Sequence, residues 1–130
     1  MDDVDPDSGL TGLLGMRITH ADGASCVVRW TAGPEHHQPF GITHGGIYCT
    51  AVETAASIGA GLWYGERGTV VGTSNHTEFL RPVRSGELTA TATPVQRGRS
   101  QQLWDVAVTD EQDRLVATGR VRLTNLPAEP

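Results

Sequence analysis

His44-Gly45-Gly46-Ile47-Tyr48-Cys49-Thr50-Ala51-Val52-Glu53-Thr54-Ala55-Ala56-Ser57-Ile58-Gly59-Ala60 decides the fold. It reads as a Gly-Gly turn feeding a helix. From Ile47 to Trp63 the only charged residue is Glu53. A helix that is otherwise apolar or small belongs inside a core. A carboxylate there is costly unless it is paired or has a task. At the helical step of 100° per residue, Ile47, Ala51, Ala55, Ile58 and Leu62 share one broad apolar face, with Tyr48 and Gly59 beside them. Cys49, Thr50, Glu53 and Ser57 form a narrow opposite stripe headed by Gly46. An N–H end, a carboxylate and a hydroxyl are thus expected along one side of the helix.

Outward from the helix the chain reads as β. Residues 16–20 and 24–31 flank Ala21-Asp22-Gly23, and Asp-Gly between β-prone runs signals a hairpin. Cys26, Val28 and Trp30 alternate onto one face of its second strand. Residues 33–43 hold two prolines and two glycines and read as a loop. A loop of that length before a buried helix is a candidate functional segment. After a turn near Gly65, residues 69–80, 87–96, 100–109 and 114–123 read as strands joined by short turns. Leu88, Ala90, Ala92 and Pro94 share one face of the second of these; Leu103, Val106 and Val108 are the apolar positions of the third. The expected fold is α+β, an antiparallel sheet of five to six strands wrapped around one long central helix. Such a sheet needs its apolar face covered, and this helix is the one long element available. Residues 1–9 read as an acidic leader, 10–124 as the domain and 125–130 as a tail.

The 130 residues suffice for one domain with a real core. Ten basic against fifteen acidic residues give a net charge of −5, which argues against nucleic-acid or anionic-membrane surfaces. The N-terminus lacks the basic start and apolar run of a secretory signal, and no run is long enough to span a bilayer. The two cysteines, Cys26 and Cys49, have no Cys-x-x-Cys spacing. A reduced, cytoplasmic protein is expected. His36, His37, His44 and His76 fit no strong zinc pattern, so no metal is expected. Cys49 reads as a small packing residue rather than a nucleophile.

His-Gly-Gly followed by an apolar helix with a lone acid resembles the hotdog-fold acyl-CoA thioesterases. The nearest groups are the PaaI-like enzymes and the 4-hydroxybenzoyl-CoA thioesterases with a helix glutamate. The resemblance runs from about Leu10 to Leu123 and is most specific from Gln38 to Ser57. It implies that the family's loop amide falls on Gln38, six residues before His44, its glycine on Gly45, its acid on Glu53 and its hydroxyl on Ser57. A weaker match, Asn75-His76-Thr77-Glu78-Phe79-Leu80-Arg81-Pro82-Val83-Arg84-Ser85-Gly86-Glu87, covers the strand and turn after the helix; His76 departs from the family pattern. Gly98-Arg99-Ser100 matches a turn near the nucleotide of coenzyme A. The implied function is hydrolysis of an acyl-CoA thioester to acid and coenzyme A. Gly45 N–H would polarise the carbonyl, and Glu53 would act as nucleophile or general base. Gln38 would hold the thioester or water, Ser57 would orient water, and His44 would cap the turn or act as a base. Gly46, Asn75, Arg81, Arg84, Arg99 and Ser100 are the candidate binders of substrate, the arginines through phosphates. No cofactor is needed beyond the coenzyme A of the substrate. The family implies a homodimer assembling into a homotetramer, with sites between subunits. The alternatives are a non-catalytic acyl-CoA binding module and a hotdog-fold dehydratase or hydratase.

Overall fold

The computed structural model describes residues 5 and 8–130. A short helix, α1 (Gly9–Leu13), precedes strands β1 (Arg17–Ala21) and β2 (Cys26–Ala32) and the long helix α2 (Gly45–Tyr64). Strands β3 (Gly68–Phe79), β4 (Gly86–Arg97), β5 (Gln101–Thr109) and β6 (Leu115–Pro127) complete the chain. The leader expected over residues 1–9 lies mostly outside the described residues, and α1 already begins at Gly9. The last strand continues to Pro127, beyond the tail boundary at residue 125 that its pattern suggests. The reason is Asn125. It is buried, and its Nδ2 donates to the Gly98 and Arg99 carbonyls at 3.0 and 3.1 Å.

One six-stranded antiparallel sheet has the order β1-β2-β4-β5-β6-β3. Asp22 closes the β1–β2 turn, its Oδ1 accepting from the Ala24 and Ser25 N–H groups at 2.7 and 2.8 Å. These bonds hold its carboxyl below the usual carboxylate range. Cys26, Val28, Trp30, Leu88, Ala90, Ala92, Val106 and Val108 point inward under α2, as the alternation predicts. Pro94, at a bulge of β4, is only half-buried. On β5 the inward positions begin at Gln102 and Trp104, so Leu103 faces the other way.

The buried side of α2 is Ile47, Tyr48, Ala51, Val52, Ala55, Ala56, Gly59, Ala60 and Tyr64. Leu62, placed on this face by the helical step, is instead 44% exposed. Gly59 allows the close seat on the sheet: a Cβ there would stand 2.7 Å from the Trp104 ring. Both ends of α2 are held. His44 caps the first turn, its Nδ1 accepting from Gly46 N–H at 2.8 Å. Arg67 donates to the Tyr64 and Trp63 carbonyls at 2.8 and 2.7 Å, a cation at the negative end of the helix dipole.

Gln102 ties helix to sheet. Its Oε1 accepts from Trp104 Nε1 at 2.8 Å, and its Nε2 donates to the Ala60 carbonyl at 3.1 Å and to Asn125 Oδ1 at 2.8 Å. Gln102→Leu would strand the indole N–H and the Asn125 oxygen in the interior. A loss of about 2–4 kcal/mol is expected in urea unfolding.

Candidate active site

The helix N-terminus is placed by the loop before it. His36 is buried; its Nδ1 accepts from Gly33 N–H at 3.1 Å and its Nε2 donates to the Leu14 carbonyl at 2.8 Å. The His36 carbonyl accepts from His44 N–H at 2.8 Å, and His37 Nε2 bonds the Arg84 carbonyl at 2.7 Å. The histidines of this segment therefore hold backbone. Among the described residues no cluster of three or more potential metal ligands forms.

Gly45 opens onto a groove of about 310 Å³ lined by Gln38, Ile42, Thr43, Tyr48, Phe79, Leu80, Arg81 and Pro82. As the first residue of α2, Gly45 has no intrahelical acceptor for its N–H, and no other described group accepts from it. Phe79 packs its ring against Gly45 Cα, where a Cβ would collide with it. The Gln38 side-chain oxygen accepts from Phe40 N–H. That contact orients the carboxamide and leaves its NH2 as the outward donor. Two donors, Gly45 N–H and Gln38 NH2, thus belong to one groove.

Glu53 lies elsewhere. It is exposed, in a second groove with Leu10, Cys49, Thr50, Thr54 and Asn75, and makes no ion pair or hydrogen bond among the described residues. The two grooves share no residue. Glu53 lies eight residues after Gly45 on the helix, about 12 Å along the axis. This corrects one expectation: the acid is not inside the core of the chain, because its stripe of α2 faces away from the sheet. The donor and the acid line separate grooves of the chain. Gly46, at the head of the acid's stripe, has its N–H engaged by the His44 cap.

The other candidates divide in the same way. Ser57 is half-buried, one turn beyond Glu53. Asn75 straps β3 to the helix: its Nδ2 donates to the Cys49 carbonyl at 3.0 Å and its Oδ1 accepts from Thr77 Oγ1 at 2.7 Å. Arg81 stands on the rim of the Gly45 groove. Arg84 donates to the Gly41 carbonyl at 3.1 Å and so braces the turn that carries Gln38. Arg99 and Ser100 are exposed in the β4–β5 turn beside Asn125. Asn125 bonds Gln102, which reaches Ala60, so this turn belongs to the C-terminal half of α2. Arg99 and Ser100 thus lie toward the end of α2 opposite the Gly45 groove that Arg81 borders. His76 lies on the outer sheet face, 3.4 Å from Glu78, and takes no part in either groove.

Tyr48 and Phe79 were not singled out by sequence as site residues. Their rings are 5.9 Å apart at the centroids, and both line the Gly45 groove. The spacing of Tyr48, one turn after Gly45, is the signal that could have marked it. Burial pushes the Tyr48 phenol up, while the Thr43 hydroxyl beside it pulls the other way.

Residues 40–117 match the thioesterase superfamily. The chain belongs to the thioesterase superfamily. This thioesterase is 44% identical over 120 residues to Rv1847 of Mycobacterium tuberculosis, covering 90% of this chain and 86% of that protein. It is 34% identical over 112 residues to the 1,4-dihydroxy-2-naphthoyl-CoA hydrolase of Listeria monocytogenes, covering 86% and 91%. The crystal structure of AziG from S. sahachiroi superposes with a TM-score of 0.91 at 45% identity, over 93% of this chain and 98% of that one. The thioesterase is a thioester hydrolase with the hotdog fold that its sequence resembles. No helix among its described residues is long and apolar enough to cross a membrane.

Proposed function

We propose that the chain hydrolyses acyl-CoA thioesters at a site built between two copies. Gly45 and Gln38 come from one copy, Glu53 and Ser57 from the other. The observation that carries this reading is the separation of an unpaired N–H donor and an unpaired carboxylate into two grooves of one chain. A nucleophile must come within about 3–3.5 Å of the carbon it attacks. Both grooves border β3, through Phe79 in one and Asn75 in the other. Among the described residues β3 pairs only with β6, which leaves its second edge open along its twelve residues. A two-fold axis beside that edge would set each groove of one copy against the other groove of its partner, as an isologous contact requires.

In that site Gly45 N–H and the Gln38 amide hold the thioester oxygen and take up the negative charge that develops on it. Glu53 either attacks the carbonyl carbon, expelling the coenzyme A thiolate and leaving an anhydride for water to open, or takes a proton from the water that attacks. Both routes end in a carboxylic acid and free coenzyme A. Ser57 orients the water. Arg81 of one copy, with Arg99 and Ser100 of the other, supplies charge-assisted bonds to the nucleotide phosphates. The Listeria relative is by name a CoA-thioester hydrolase, which supports the choice of coenzyme A as the carrier.

Thiol release from phenylacetyl-, hydroxybenzoyl-, short and long fatty acyl-CoA by the purified chain tests the reading. Turnover of at least one is expected, from a dimer or a larger assembly in sedimentation. Saturable binding with no thiol released from any of them would favour a binding module instead.

A further inference from the structure

Leu10 borders the groove that holds Glu53. It is 55% exposed, and it is the one large apolar side chain among the described residues that line this groove. Single exposed leucines are ordinary on a protein surface. What sets Leu10 apart is how it is held. Helix α1 has no buried residue of its own, yet its C-terminal end is anchored. Leu14 packs against the core, and its carbonyl accepts from His36 Nε2 at 2.8 Å. The Leu14 N–H donates to the Leu10 carbonyl at 3.0 Å, one helical turn back. The anchor that fixes Leu14 thereby sets Leu10 over the acid groove.

That groove, of about 300 Å³, is less polar than its residue types suggest. The Thr50 hydroxyl donates to the Gly46 carbonyl at 2.8 Å, back along its own helix. The Asn75 carboxamide is engaged at both ends, by the Cys49 carbonyl and the Thr77 hydroxyl. Cys49 is half-buried, and a thiol behaves as a small hydrophobe. Leu10, Cys49 and the carbon of Thr50 therefore make the lining on the N-terminal side of Glu53.

The direction of the substrate follows from the same copy. In the shared site, Arg99 and Ser100 receive the nucleotide phosphates, and their turn lies with the C-terminal half of α2. Cys49 and Thr50 precede Glu53 on that helix, and Leu10 stands with them. The sulfur and the acyl chain leave a thioester carbonyl carbon on opposite sides. With the sulfur directed toward the phosphates, the acyl arm leaves Glu53 toward Leu10.

We propose that Leu10 is a specificity-determining residue: it forms an apolar wall along the acyl arm, so that unbranched acyl groups are preferred once they are long enough to reach it. The proposal rests on the thioesterase reading, because it takes Glu53 to meet the thioester carbon. Each methylene buried against such a wall is worth about a fourfold preference. An acetyl group ends at Glu53 and gains nothing from Leu10.

The test measures kcat/KM for acetyl-, butyryl-, hexanoyl- and octanoyl-CoA in wild type, Leu10→Ala and Leu13→Ala. Kd for the same series is measured in a Glu53→Gln background, with and without Leu10→Ala. Leu13 is 80% exposed on the same short helix and lines neither groove, so it controls for disturbance of α1. Wild type is expected to favour octanoyl over acetyl by about tenfold or more. Leu10→Ala is expected to lower the octanoyl value about tenfold, while the acetyl value changes by no more than about twofold. Leu13→Ala should follow wild type at every length, and all three should share one melting temperature and one assembly state. An equal loss at every length, a wild type with no length preference, or the same loss in Leu13→Ala would overturn the proposal. So would dissociation of the Leu10→Ala assembly, which would give Leu10 to the interface between copies. A length dependence of Kd that Leu10→Ala flattens, with no thiol released from any member, would sustain this proposal and defeat hydrolysis. Thiol release with a length preference untouched by Leu10→Ala would do the reverse.

Discussion

Glu53→Gln is expected to lower thiol release by about 10²- to 10⁴-fold while leaving the chain folded. The carboxylate is exposed and meets no described ion-pair or hydrogen-bond partner, so neutralising it breaks no structural contact. Glutamine keeps the shape and hydrogen-bonding reach of the side chain. What it loses is the negative charge needed to attack a carbonyl or to take a proton from water. A structural acid would show the opposite pattern, with activity retained and the melting temperature lowered. Steady-state kinetics and thermal unfolding of the same preparation separate the two. A folded variant at the full wild-type rate would remove Glu53 from the chemistry.

Much of the fold is legible in the residues. The unbroken small and apolar run after His44-Gly45-Gly46 has one solution in a chain this short, a helix laid on a sheet. The alternation at Cys26, Val28 and Trp30, and at Leu88, Ala90 and Ala92, marks the strand faces it covers. Periodicity has limits that particular residues show. It locates the stripe of Cys49, Thr50, Glu53 and Ser57, but not what lies opposite, because a stripe turned from its own sheet can face solvent or a second copy. Exposed Glu53 is the result. Gln102 is invisible to a hydrophobic pattern for another reason. A glutamine reads as outward until its partners are known, and these are Trp104, Ala60 and Asn125, the last 23 residues away in sequence. The same network keeps Asn125 in the final strand. The division of the site into two grooves is likewise a matter of distance along one helix, which spacing alone contains. Joining donor to acid across two chains requires the open edge of β3.

Gly45→Ala is expected to lower turnover by about 10²-fold, through a different route from loss of the acid. The N–H survives in alanine. The new Cβ, however, collides with the Phe79 ring and drives it into the groove that must receive the thioester. Phe79 is 56% exposed and can swing aside, so the fold should survive. Gly45→Ala and Glu53→Gln then become a pair of probes for where the site is made. In a two-fold dimer with shared sites, a chain carrying Glu53→Gln still offers Gly45, and a chain carrying Gly45→Ala still offers Glu53. One site of each mixed dimer is intact and the other carries both lesions. Random pairing makes half of the dimers mixed, so co-expressed chains should show about a quarter of wild-type activity, although each parent alone is nearly inactive. The mixed dimer purified through two different tags should approach one half. If mixed dimers stay as inactive as their parents, the donor and the acid act within one chain, and a rearrangement of α2 would be needed to bring Gly45 and Glu53 together.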